Sequence, residues 1–308
     1  MIKHYEGVLG YFDYSDKEFE INESTNCLKY IGKGKSVDLP KGCINTSYMF
    51  CNKELPEGFI LGDNFDTSGV RYMRNMFCCC KLPKGFSLGD KFDTSNVKCM
   101  EYMFTECEMP EGFTLGDKFD TSNVKSMHNM FASCMMPKGF TLGDHFDTSN
   151  VKDMDKMFTN CVLPEGFSLG NKFNTSNVKY MHRVFSGSEL PNGFSLGDHF
   201  DTSNVISMAG MFHGCIMPKG FTLGNKFDTS NVTCMNNMFL ECVFPENFSL
   251  GDKFYTYNIV DMTGMFMYCK FPKGFSLGDH FNIYNTASDY IFYKCEFSNN
   301  QKLKISIE

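Results

Sequence analysis

A chain of 308 residues could hold two domains, but its net charge of -7 and its 26 lysines to three arginines argue against a nucleic-acid phosphate backbone as partner. No apolar run approaches the roughly 20 residues of a membrane span, so membrane insertion is not expected. Fifteen cysteines are an odd number, and 33 Phe and 22 Met offer a core that needs no staples, so the thiols read as reduced.

In chain order, residues 1–38 come first. The stretches GVLGYFDYS and EFEIN flank a polar turn at Asp16-Lys17 and predict a hairpin, with CLKYIGK as a third strand. This segment reads as an N-terminal β cap. It lacks the apolar core of a signal peptide, which with the reduced thiols favours a cytoplasmic setting. Residues 39–296 are a repeat array. A shortened unit opens at Pro40, and nine longer ones start at Pro56 and recur every 27 residues to Pro272. The last is one residue short. Residues 297–308 read as a C-terminal capping strand, with KLKISIE alternating at 302–308.

Each unit carries two periods. Phe113 and Leu115 alternate with Thr114, which predicts a half-buried strand. Val124, Met127, Met130, Phe131 and Cys134 share one face of a helix, behind Asp120-Thr121-Ser122-Asn123 as its N-cap. The expected fold is an α/β repeat solenoid, leucine-rich-repeat-like, with one short strand and one short helix per 27-residue coil. Three phenylalanine columns, starting at Phe59, Phe65 and Phe77, should stack as core. The glycine after each proline becomes Asn247 once, which points to positive φ. The second glycine, Gly62 to Gly278, never varies, and a clash with any Cβ is expected. After the proline, Glu57, Lys84, Glu111, Lys138 and Glu165 alternate in sign, as stacked neighbours in register would favour.

The chemistry is sparse. Aspartate columns such as Asp93, Asp120 and Asp147 could suggest calcium, but Asn174 substitutes for them, so Asx turns fit better. The cysteine column Cys80, Cys107, Cys134, Cys161, Cys215, Cys242 and Cys269, broken by Ser188, reads as small buried filler; of Cys78-Cys79-Cys80, two should face outward. The histidines scatter, and no nucleophile, phosphate-loop or zinc motif occurs locally. No enzyme activity, cofactor or metal is expected.

The helix's outer face varies most from unit to unit: Glu101-Tyr102, His128-Asn129, Asp155-Lys156 and His182-Arg183. These eight residues are the candidate binding positions of a non-enzymatic scaffold for a protein partner. The strand's outward position, by contrast, is nearly always Ser or Thr, a poor source of specificity.

The block FDTSNVKxMxxMFxxC, at Phe119–Cys134 and Phe146–Cys161, closely resembles the repeat of the BspA-like leucine-rich-repeat surface proteins, including its Mycoplasma-lipoprotein type. The likeness covers roughly residues 59–270. It implies a leucine-rich-repeat-like solenoid, and surface adhesion or a structural spacer at the cell surface as the alternative role. The unit here is longer than that family's, by an added L-P-x-G-F turn.

Overall fold

The computed structural model describes residues 1–298. The closing strand expected at 302–308 lies outside the described residues.

Two antiparallel hairpins open the chain. Strand β1 (Ile2–Gly7) pairs with β2 (Gly10–Ser15), and β3 (Phe19–Asn22) with β4 (Cys27–Tyr30). The pairing expected across Asp16-Lys17 does not form, because residues 2–7 supply β2 with its partner and Asn22 accepts the amides of Ser24 and Thr25 to turn β3 into β4. Leu9, Phe12, Phe19, Leu28 and Tyr30 are buried in one core with the repeats. The Tyr30 ring packs on Phe50 and Phe59, at 5.6 and 5.7 Å. The hairpins thus cover the shortened first coil, which has no FDTSNV section of its own. β5 (Ser36–Val37) then runs parallel to β6 (Ile60–Leu61).

From there the coils stack in register. One column of parallel bridges runs Asn45, Tyr72, Cys99, Ser126, Asp153, Tyr180, Ser207, Cys234, Asp261, Ala287. A second joins residues such as Glu54, Lys81 and Glu108, and ends in β7 (Lys270–Phe271) and β8 (Glu296–Phe297).

The expected helix is absent: none occurs among the described residues. A helix spends its amides within the segment, on carbonyls four residues back. Here Met127, Asn129, Phe131 and Ser133 donate to carbonyls of the next coil, those of Asp153, Asp155, Met157 and Thr159, at 2.7–3.0 Å. The amides between them, of Met130, Ala132 and Cys134, close turns on the carbonyls three residues back. Asn129 and Ser133 have φ of 55° and 58°, in the left-handed region. The same two positions are left-handed in the other coils, from Tyr48 and Asn52 to Tyr290 and Lys294. The segment is a ladder of consecutive turns. Its buried set is still Val124, Met127, Met130, Phe131 and Cys134, so the apolar spacing that suits a helix also suits this ladder.

The expected strand is also missing beyond β6. Phe113 and Leu115 are buried and Thr114 exposed, so the alternation holds without a ladder. Phenylalanine rings set the separation. Phe113–Phe140 and Phe119–Phe146 stack with centroids 6.4 Å apart, against 5.6 Å for Phe104–Phe131 on the turn-ladder side. Strand pairing needs about 4.8 Å, so the coils fan apart on this edge. The chain is therefore not a leucine-rich-repeat-like α/β solenoid of one strand and one helix per coil, but a stack of turn-built coils.

Fanning explains two further departures. Gly89 through Gly278 have φ of 76–83°, and a Cβ there would meet nothing within 4 Å; only Gly62 would clash, against Asp38. Conformation, not crowding, keeps the other glycines. The alternating Glu57, Lys84 and Glu111 form no ion pair with one another among the described residues. Ion pairs form instead in the second bridge column, Glu54–Lys81 at 3.0 Å and Lys270–Glu296 at 3.2 Å.

The DTSN segment bonds in three directions. Asp120 Oδ1 accepts the Ser122 amide at 2.8 Å, and Asn174 does the same for Ser176. Buried Thr121 donates forward to the Asp147 carbonyl at 2.8 Å. Asn123 Nδ2 donates back to the Ser95 carbonyl at 2.7 Å.

The cysteine column is more than filler. Cys134, Cys161, Cys215, Cys242 and Cys269 each donate their thiol to the phenylalanine carbonyl 30 residues earlier, at 2.8–3.0 Å. Ser188 makes the same bond to Phe158, which is why serine fits there. All fifteen thiols are free.

Two outcomes are expected. Gly214 has φ of 73° and its nearest neighbour 3.7 Å from a built Cβ, so Gly214→Ala isolates backbone strain. It should destabilise by about 1–2 kcal/mol in urea melts, whereas in a helix it would stabilise by about 1 kcal/mol; a gain in stability would overturn the turn ladder. Burial pushes the Cys134 and Cys215 thiols up to about 12, against about 8.5 in the unfolded chain. Below about pH 8.5 both states keep these protons, and above it only the folded state does. Stability should therefore fall as pH rises from about 8.5 towards 12. Cys134→Ser should fold and make this decline less steep by one proton, measured as Tm between pH 8 and 11.

Candidate functional site

In a helix, residues two apart point to different sides; in an extended ladder they share a side. The turn ladder therefore lays two columns side by side. One is the bridge column through Ser126, Asp153, Tyr180 and Ser207, and the other holds Arg74, Glu101, His128, Asp155 and His182.

These residues form a continuous row across neighbouring coils. Arg74 pairs with Glu101 at 3.0 Å, and its guanidinium lies 5.4 Å from the Tyr102 ring centre. The Tyr102 ring packs on His128 at 5.2 Å. His128 Nδ1 lies 3.9 Å from Asp153 Oδ1, which accepts the Asp155 amide at 2.9 Å. Asp155 Oδ1 accepts the His182 amide at 2.7 Å, and its Oδ2 meets His182 Nδ1 at 2.6 Å. His182 Nε2 lies 2.6 Å from Ser207 Oγ. Burial pushes the Asp153 carboxyl above the usual range, and the neighbouring Asp155 charge adds to the rise.

Of the eight expected positions, Glu101, Tyr102, His128, Asp155 and His182 meet in this row. Tyr102, Asn129, Lys156 and Arg183 occupy the left-handed turn position, not a helix face, with φ of 54–58°. The glycines and asparagines of that column, Asn75, Gly210, Asn237 and Gly264, are the signal that marks it in the sequence. Arg74, Asp153 and Ser207 escape a helical reading because they sit two positions, or one coil, away from the residues it selects.

Asp155, His182 and Ser207 stand in the order of a carboxylate, a base and a hydroxyl. Ser207 is only 7% exposed, which leaves its hydroxyl little room for a substrate. The consequence of the relay is positional: it fixes both oxygens of Asp155.

Two other features stand apart. Cys51 and Cys78 occupy the same position in adjacent coils, and hydrogen bonding with Cys78 holds the Cys51 thiol below the usual range. Cys78 and Cys79 are half-buried and Cys80 buried, the arrangement expected for that run. On the fanned edge, clefts between coils are lined by residues such as Thr114, Asp117, Thr141 and His145. Several serines of that edge turn back on their own coil, as Ser168 Oγ accepts the Gly170 amide at 3.0 Å.

No curated protein and no solved structure matches the chain. A family described as "Mycoplasma protein of unknown function, DUF285" matches it in five overlapping segments, 44–163, 88–192, 141–219, 168–273 and 191–305. Those segments follow the stacked coils from the first turn ladder to beyond the last. The chain is thus a repeat protein that belongs to this DUF285 family of Mycoplasma proteins.

Proposed function

We propose that the chain is a non-enzymatic scaffold that binds a protein partner along the turn-ladder face. One observation carries this reading. Two of the chain's three arginines, Arg74 and Arg183, lie on this strip, together with Tyr72, Tyr102 and Tyr180, and the third, Arg71, immediately precedes Tyr72. Tyr72 and Tyr180 are 44% and 45% exposed. Arginine and tyrosine dominate the energetics of protein interfaces, because each combines a large contact area with directional polar groups. The opposite edge repeats Ser or Thr and offers little to tell partners apart.

A second reading, a surface adhesin or structural spacer of the BspA-like type, is favoured by the FDTSNV block. It uses the same face, and differs in where the protein works. No helix among the described residues is long and apolar enough to cross a membrane.

The test is an affinity pull-down from a Mycoplasma lysate and from host extracellular protein, with mass spectrometry. Wild type should retain a defined partner, and a Tyr72→Ser, Tyr180→Ser variant with an unchanged Tm should lose it about tenfold or more, the scale of a hot spot. Equal capture by both proteins, or no specific capture by either, would overturn the assignment of this face. Capture only of an extracellular host protein would select the adhesin reading.

A further inference from the structure

The row contains a group of donors that the scaffold reading leaves unused. The ligand atoms of His128, Asp153 and Asp155 all lie within 4.8 Å of one another. They come from two neighbouring coils; in later coils the column of His128, Asp155 and His182 reads Ala209, Asn236, Thr263 and carries no such donors. We propose that His128, Asp153 and Asp155 form a binding site for a divalent transition-metal ion, with His182 holding Asp155 in place from outside.

Four observations converge. The donor set is mixed, one imidazole nitrogen with two carboxylates, which suits ions such as Mn²⁺, Co²⁺ or Zn²⁺ and is unlike the all-oxygen set of calcium. Donors bound about 2.0–2.2 Å from one ion sit about 3–4 Å from each other, and the His128–Asp153 separation of 3.9 Å already meets this. Asp153 and Asp155 face each other half-buried, and among the described residues no lysine or arginine pairs with either, so the site lacks a fixed positive charge. Finally, Ser126 Oγ is buried without a hydrogen-bond partner, on the residue bridged to Asp153 and two before His128. A buried hydroxyl without a partner, in the coil that supplies His128, is a group that an ion's bound water would satisfy.

The outer contacts fit the same reading. Metal-bound carboxylates are themselves hydrogen-bonded, which fixes their direction. Asp155 accepts one bond from the His182 amide and shares another with its ring, while Ser207 holds the far ring nitrogen. Each carboxylate oxygen keeps a lone pair for an ion.

Co²⁺ added to reduced, metal-free protein tests the site, because its absorption reports the donors and the chain's thiols would otherwise confuse the count. One equivalent should bind and give weak visible bands without intense thiolate charge transfer, and it should raise Tm. His128→Gln and Asp153→Asn should each weaken binding about tenfold or more, and His182→Asn about ten- to hundredfold. Melting curves without metal establish that the variants fold. Thiolate bands alone, binding unchanged by these substitutions, or no binding at millimolar Co²⁺ would overturn the site. Tyr180 is bridged to Asp153 and stacks on His182, so the control is Tyr72→Ser alone, several coils from the site; it should weaken partner capture and bind Co²⁺ as wild type does, so loss of the partner and loss of the metal are separable.

Discussion

Alternate amides along one edge of each coil donate to the coil that follows, and the structure depends on that bonding. Asn129, Phe131 and Ser133 reach the carbonyls of Asp155, Met157 and Thr159, and those coils are bonded to the next in turn. An isolated 27-residue unit would leave these amides unpaired and its phenylalanines exposed. A buried backbone group without a partner is costly, so a unit is complete only against a neighbour. The two N-terminal hairpins meet that requirement for the first coil through Tyr30 and Leu9, whose backbone groups bond to Met49 and Ile44.

The same requirement sorts the positions of the repeat. Residues that serve the contact between coils hardly change: Thr121 donates forward, Asn123 donates back, Asp120 closes its own turn, and Cys134 donates its thiol to a carbonyl. Positions that face away from both neighbours are free to change, and they form the strip that carries Arg74, Tyr102, His128 and His182. Specific chemistry is placed where the stack makes no demand. Because neighbouring coils bring equivalent positions side by side, a few substitutions in adjacent coils are enough to assemble a cluster.

Much of this was legible in the chain itself. The period, the in-register stack, the buried phenylalanine columns and the positive φ of the glycine after proline follow from columns of identical residues, and Asn247 at φ 61° fits that reading. The Asx role of Asp120 follows from its exchange with Asn174. The helix is the wrong inference from the spacing because offsets of 3, 6, 7 and 10 bury the same side chains in a ladder of turns as in a helix. Asparagine and glycine recurring at 75, 129, 210, 237 and 264 were the contrary sign, since mid-helix positions do not favour them. The site is half visible in the sequence: helical spacing selects Glu101, His128, Asp155 and His182, and passes over Asp153 and Ser207.

The sequence by itself determined the unit, its length, its inward-facing residues and the fact that equivalent residues meet, because a strict 27-residue repeat leaves few other ways to bury so much phenylalanine. Only the tertiary structure decided where the backbone amides go. Local sequence does not distinguish an amide that bonds four residues back from one that bonds to the next coil; the neighbouring coil does. That choice turns a helix into a ladder, sets residues two apart on one side, and brings Asp153 beside His128 and Ser207 beside His182. It also lets the phenylalanine rings, at 6.4 Å, hold the opposite edge too far open for strands to pair.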